Sequence, residues 1–529
     1  MEGEMNRREI FRVAGAAAVA GVAYPAGVLA QDPAAALQEG AFYPLSDRVR
    51  EDFEALLARQ ESKATVQGFA EAARDPIDTL DRYLMWSIYA MDATATDHVP
   101  SSADIPEPPQ RFGNQLGPHR SARAMAIVHV AMFEAMNAIN PRYGSYVGLP
   151  PVSVPVSMDA ALAWAAHDAL IALYPFQQQR ISALLTSDLI RVPGYGTDAV
   201  LAARSRDLGK SAAAKIVGLR ANDNSAHREP EVGVDFTPLG TPGAWAIDPV
   251  FPTTVALGAR WHEVTPFVLT AADQFRPVPP PTLDSPEYAA AYNEVKRLGG
   301  DPAKGTATER RDFETFEGLF WAFDGTPGLC APPRLYNKIA HDVAIQKGMR
   351  DPLDMARMLA VLNVAMADAA ISAWEAKWHY QFWRPITAIH QADASTNPGT
   401  TADPGFIPLG APATNGRGPN FTPPFPAYPS GHAVFGGAMA QVLRNYYPDE
   451  VNQYFTFVSD EYNGLNLGVS DSAPRPRMPQ SFVSFAHAEY VNARSRIFLG
   501  IHFNFDASAG IEQGKQVGQF VFDNVFRPV

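Results

Sequence analysis

The chain has 529 residues, is 47% hydrophobic and 19% charged, and sets 43 Lys and Arg against 56 Asp and Glu, a formal net charge of −13. This composition describes a globular protein with a large core and excludes a collagen, a coiled coil, a low-complexity chain and a nucleic-acid binder that grips the phosphate backbone. The one cysteine, Cys330, excludes an internal disulfide, a cysteine-based zinc site and an iron–sulfur cluster.

In chain order, residues 1–30 read as a targeting segment. Arg7-Arg8 precedes a mild apolar run from Val13 to Leu29, and Val28-Leu29-Ala30 offers small residues for cleavage. This pattern predicts a twin-arginine signal, hence export of a folded protein to the periplasm or beyond, and no later stretch reads as long and apolar enough to span a bilayer. Apolar residues then recur at three and four from Ala124 to Asn140, Met158 to Tyr174 and Ala202 to Arg220. They do so again from Thr308 to Ala322, Leu353 to Trp378, Ala433 to Tyr446, Ser481 to Leu499 and Ala507 to Val525. Pro141, Pro175, Pro352 and Pro448 mark helix boundaries. Strand-like alternation is scarce, so the expected class is all-α, as two packed helical bundles. The proline-rich run Phe275 to Pro281 divides an N-terminal helical half, 31–281, from a C-terminal catalytic bundle, 282–529. The irregular stretch Asp393 to Pro429 is too long for an idle connection in a compact protein.

Several local patterns carry no function. Gly209-Lys210-Ser211 imitates the end of a phosphate loop, but Arg204 occupies the required earlier glycine position in a helical context. His262-Glu263 lacks a second histidine at helical spacing, and Asn420-Phe421-Thr422 matches a glycosylation sequon that a bacterial export signal makes moot. His119, His129, His167, His379, His390, His487 and Cys330 read as structural.

Three blocks remain: Lys377-Trp378-His379-Tyr380-Gln381-Phe382-Trp383-Arg384-Pro385; Pro429-Ser430-Gly431-His432; and Ser495-Arg496 leading through Gly500 to His502, with Asp506 beyond. Lys377 and Arg384 stand two helical turns apart, which on a continuous helix puts them on one face. A helix end near Gly500 would bring Arg496 and His502 together. Three cations, a hydroxyl, a glycine amide and two imidazoles suit a compact tetrahedral oxyanion, with Arg supplying planar forks and Lys a point charge. Each cation–anion pair is worth roughly 4 kcal/mol at 4 Å and an effective dielectric near 20.

These blocks resemble the superfamily that unites vanadium-dependent haloperoxidases with type-2 phosphatidic acid phosphatases and bacterial acid phosphatases. The chain is most similar to the chloroperoxidase branch, through Phe421 to Ala433, Phe320 to Gly325, Pro333 to Asn337 and Trp374 to Lys377. The resemblance implies a vanadate (vanadium(V)) cofactor bonded to His502, with its oxygens held by Lys377, Arg384, Ser430, Gly431 and Arg496. It implies that His432 is the acid–base residue toward hydrogen peroxide and that Lys377 polarises the bound peroxide for attack by halide. His432, Lys377 and His502 are thus the expected catalytic set, with Asp324 pairing with Arg496 and Asp506 fixing an imidazole. The expected partners are hydrogen peroxide, halide and a small organic substrate, and the bacterial members of the family suggest a homodimer. Phe425, where bromide-selective members usually carry histidine, implies with Trp374 a dry pocket able to oxidise chloride as well as bromide. The competing expectation is an exported acid phosphatase in which His502 attacks phosphorus and His432 protonates the leaving group.

Overall fold

In the computed structural model, residues 77–99, 113–416, 418–449, 453–469 and 471–529 are described, so the expected signal over 1–30 lies outside the described residues. Among them stand thirteen α-helices and one small sheet. The helices are α1 (Thr79–Asp97), α2 (Pro118–Ile139), α3 (Met158–Leu173), α4 (Gln178–Leu189), α5 (Ala199–Leu219), α6 (Pro286–Leu298) and α7 (Asp312–Phe320). There follow α8 (Pro332–Gln346), α9 (Pro352–Tyr380), α10 (Pro385–His390), α11 (Gly431–Tyr446), α12 (Phe485–Phe498) and α13 (Asn504–Asn524). Strands β1 (Phe455–Val458) and β2 (Pro479–Phe482) pair antiparallel, Phe455 opposite Phe482.

Local chemistry sets the helix starts. Ser157, Asp198, Ser285, Asp351 and Ser484 each accept a hydrogen bond from a first-turn amide, and Pro118, Pro286, Pro332, Pro352 and Pro385 occupy first-turn positions where no amide donor is needed. All eight periodic segments are helices, with ends moved by a few residues. The structure adds α1, α4, α6, α8, α10 and the β1–β2 pair.

Helix α9 organises the molecule. It is 29 residues long and buried from Met355 to Trp378, packing against α2 from the first half and against α11 and α13 from the second. One apolar core accordingly runs from Ile77 to Phe526 through both bundles. Helices α11 and α13 cross so closely that a Cβ on Gly514 would lie 2.1 Å from the Val434 carbonyl oxygen, which restricts that position to glycine. A second cluster, including Tyr288, Tyr292, Trp383, Tyr428 and Phe503, supports the segments that carry the three motif blocks. By length and composition α2 and α9 could each cross a membrane, contrary to the expectation that no stretch after the signal qualifies; both are interior helices, 94% and 100% buried over their most apolar stretch. Gly209-Lys210-Ser211 lies within α5.

Candidate functional site

The three blocks converge, though not by the expected path for the first pair. Helix α9 stops at Tyr380, Gln381 takes a left-handed conformation (φ 46°), and Arg384 caps the start of α10. Lys377 and Arg384 therefore do not share a helix face; a sharp turn between two helices brings them together. Ser430 and Gly431 form the N-terminus of α11. Arg496 lies in the last turn of α12, and Gly500 (φ 75°) turns the chain so that His502 precedes α13. Lys377, Arg384, Ser430, Gly431, His432, Arg496, His502 and Asp506 are all buried.

Some of these groups are fully hydrogen-bonded and others have polar atoms without a protein partner. Arg384 donates through Nε to the Phe425 carbonyl (2.8 Å) and through Nη1 to the Ile501 carbonyl and to His502 Nε2 (both 2.9 Å). Arginine cannot accept, so His502 Nε2 is the acceptor and Nδ1 carries the proton, which it donates to Asp506 Oδ2 (2.9 Å). Burial, then the charges of Arg384, Lys377 and Arg496, hold the His502 imidazole well below its ordinary pKa, which keeps it neutral, its Nε2 lone pair accepting from Arg384. Asp506 also accepts from the Phe503 amide, and burial pushes its carboxyl above the usual range.

Arg496 donates through Nη2 to Asp324 Oδ1 (2.5 Å), while its Nε and Nη1 have no partner. Ser430 Oγ has none either. The Gly431 amide, at the first position of α11, has no acceptor within its own helix. Lys377 Nζ meets the carbonyls of Pro426, Ala427 and Pro429, three acceptors that take all three protons of an ammonium. Burial and the neighbouring Arg384 and Arg496 pull its pKa well down, so the cation is held at a cost in this dry cluster. His432 donates from Nε2 to the Ala322 carbonyl, leaving Nδ1 as the basic nitrogen; burial, then Arg496, keep this ring neutral.

The walls are aromatic. Phe425 lies 4.9 Å from the Arg384 guanidinium and 5.0 Å from Lys377 Nζ, and its ring centroid is 5.1 Å from that of Trp374. A Cβ on Gly431 would sit 3.5 Å from Trp374. Sequence reasoning missed what holds Trp374: its indole donates to the Leu257 carbonyl (3.1 Å), and a Cβ on Gly258 (φ 74°) would lie 2.1 Å from its ring. Behind it the His119 ring lies tilted against it, centroids 5.3 Å apart, and pairs with Glu229, whose other oxygen accepts from the Gly258 amide. This backing comes from the N-terminal half, where only a loop glycine pointed to it.

Among the described residues no group of three or more His, Cys, Asp and Glu side chains could cage a metal ion. The arrangement instead fits a tetrahedral oxyanion with one histidine ligand. Unpartnered donors on Ser430 and Arg496 and the α11 amide end supply hydrogen bonds, and a neutral imidazole supplies one lone pair once Arg384 releases it.

Comparison with known proteins agrees with this chemistry. The family described as VCPO second helical-bundle domain matches residues 357–529. The vanadium chloroperoxidase of Curvularia inaequalis is 31% identical over 470 residues, which cover 75% of this chain and 76% of that protein. The crystal structure described as the first bacterial vanadium-dependent iodoperoxidase is similar with a TM-score of 0.64 and 26% identity, over 86% of this chain and 98% of that one. A holo-type bacterial vanadium-dependent chloroperoxidase shares the fold at a TM-score of 0.57 and 15% identity, over 86% and 98% of the two chains.

Proposed function

The chain belongs to the vanadium haloperoxidases, and from that membership we propose that it oxidises chloride, and bromide faster, with hydrogen peroxide to hypohalous acid that halogenates small organic molecules. Vanadate is the cofactor that this membership implies. When bound, it supplies Lewis acidity that activates peroxide without a change in its own oxidation state. His502 is assigned as its protein ligand through Nε2, with Asp506 fixing the tautomer as carboxylates do behind metal-bound imidazoles. Ser430, Gly431, Arg384 and Arg496 hold the oxyanion, and Asp324 fixes the orientation of Arg496. His432, neutral and held by the Ala322 carbonyl, takes the proton of hydrogen peroxide at Nδ1. Lys377 lends its charge from beneath Phe425.

The observation that carries the reading is the neutral His502 amid three buried cations, its Nε2 lone pair held by Arg384 Nη1, which would turn to the oxyanion as His502 binds it. Chloride oxidation is supported by Phe425, which covers Lys377 and Arg384 with a ring that cannot hydrogen-bond and so favours an anion stripped of water. Residues 1–30 support export by the twin-arginine route. The test is halogenation of a dimedone-type probe with peroxide and each halide, vanadate loaded or stripped, beside hydrolysis of a chromogenic phosphate ester. We expect halide-dependent turnover in the vanadate-loaded protein alone. Absence of chloride turnover across roughly pH 4–7 would refute the halide assignment, and ester hydrolysis without halogenation would favour a phosphatase.

A further inference from the structure

The two aromatic walls over Lys377 and Arg384 come from separate parts of the chain: Trp374 stands on α9, and Phe425 on the irregular segment before α11. Leu257, from the first half, bonds to both. Its carbonyl accepts from the indoles of Trp374 (3.1 Å) and Trp378 (3.3 Å). Its amide donates to the carbonyl of Pro424 (3.0 Å), the residue before Phe425. The residues on either side of Leu257 are tied down in turn. The Ala256 amide donates to the Pro230 carbonyl (2.8 Å), and the Gly258 amide donates to Glu229 Oε2.

Glu229 is the fixed end of this chain of bonds. Its Oε1 accepts from His119 Nε2 (3.1 Å) and Arg120 Nε (2.9 Å) at the start of α2, and Arg120 also donates to the carbonyls of Ser225 and His227 (both 2.6 Å). Donors meet both oxygens, so the place suits a carboxylate and no group that carries a donor of its own. Bonds to a charged acceptor are the strong ones, and here they fix the Leu257-Gly258 backbone. Where Leu257 stands sets the gap between the Trp374 and Phe425 rings, 5.1 Å between centroids, and so the water the gap admits. Chloride holds water more tightly than bromide, and a hydrated halide attacks poorly, so water let into the gap costs chloride more. We propose that Glu229, acting through Gly258 and Leu257, is a positioning residue that sets the halide preference of the pocket between Trp374 and Phe425. This inference rests on the halide-oxidising function proposed above. It places the control of halide choice in the first half, outside the oxyanion cradle.

The experiment uses the full vanadate-loaded protein carrying Glu229→Gln, which sets an amide donor against a donor on one side, and separately Arg120→Gln, a milder change. Glu229→Gln should lower the ratio of kcat/KM for chloride to that for bromide roughly tenfold. Arg120→Gln should lower it by a smaller factor, and both should keep the wild-type affinity for vanadate. If chloride does not turn over, the ratio of bromide to iodide is read instead. The emission of Trp374, taken as the difference between each protein and its Trp374→Phe counterpart without vanadate, should move to longer wavelength in Glu229→Gln as water reaches the indole. An unchanged ratio, an unmoved emission, or a fall shared with vanadate affinity overturns the proposal; where Glu229→Gln does not fold, Arg120→Gln decides by the same readings. A loaded wild type that oxidises no halide refutes the peroxidase reading instead, and the Trp374 emission still decides whether Glu229 holds the wall.

Discussion

His502 is neutral because burial and three neighbouring cations forbid its protonation, and oriented because Asp506 holds Nδ1–H. His502→Ala should abolish stoichiometric vanadium retention after dialysis, measured by elemental analysis; tight vanadium in that variant would remove the ligand assignment. Arg384→Ala and Arg496→Ala each delete charge-assisted hydrogen bonds worth about 1.5–3 kcal/mol. Vanadate affinity should fall roughly 10- to 150-fold in each, with phosphate competing in the wild type. Phe425→His should lower kcat/KM for chloride more than for bromide, since a ring nitrogen brings a hydrogen bond and water toward Lys377; an unchanged ratio would show that Phe425 only packs. The identities of these residues were legible in the sequence because the cluster needs Lys, Arg, Ser, Gly and His at fixed separations. The route was not: the spacing of Lys377 and Arg384 fits a continuous helix, whereas Gln381 turns the chain between them. Nor does any sequence signal give the three carbonyls that saturate Lys377, because backbone acceptors have no identity to read.

Elements show the same division. Helices with a strong apolar period were legible, as was the boundary of α9 at Pro352, where the structure adds the Asp351 cap. Helix α1 was not, since its buried side includes Arg82, Ser87, Thr94 and Asp97 and so lacks a clean apolar stripe. Arg82 is tolerated there by pairing with Asp159 and Asp188. Helix α10 spans six residues and each strand four, too short for any period to register. The loop carrying Gly258 matters more than its length suggests. Gly258→Ala forces a Cβ into the Trp374 ring at a backbone conformation that favours glycine. Overpacking should cost roughly 1–3 kcal/mol, read as a lowered Tm and altered tryptophan fluorescence; an unchanged Tm would mean that the loop is free to withdraw.

On the scale of the molecule, the two halves are joined by polar as well as apolar contacts. Tyr83 bonds His129 Nδ1 (2.8 Å), His129 Nε2 meets Ser87 (3.2 Å), and Ser87 meets His341 (2.8 Å), linking α1 and α2 to α8. Burial, then the charge of a neighbour, lowers both imidazoles from 6.5 to about 3. The unfolded chain therefore binds protons that the folded chain refuses, and the stability these rings allow above pH 6.5 is lost as pH falls toward 3. Denaturant midpoints measured from pH 7 to 4 should fall less steeply in His129→Gln than in the wild type. Parallel curves would show that other groups govern acid sensitivity.

The burial of α9 bears on the export proposed from residues 1–30. A pore that threads polypeptide unfolded would offer the most apolar stretch of this helix to lipid before α2, α11 and α13 could cover it. A route that carries a finished globule never exposes it. Replacing residues 1–30 with a leader for the threading route should therefore strand the chain in the membrane, resistant to alkaline extraction. Soluble protein in the periplasm would show that α9 folds away faster than lipid can claim it.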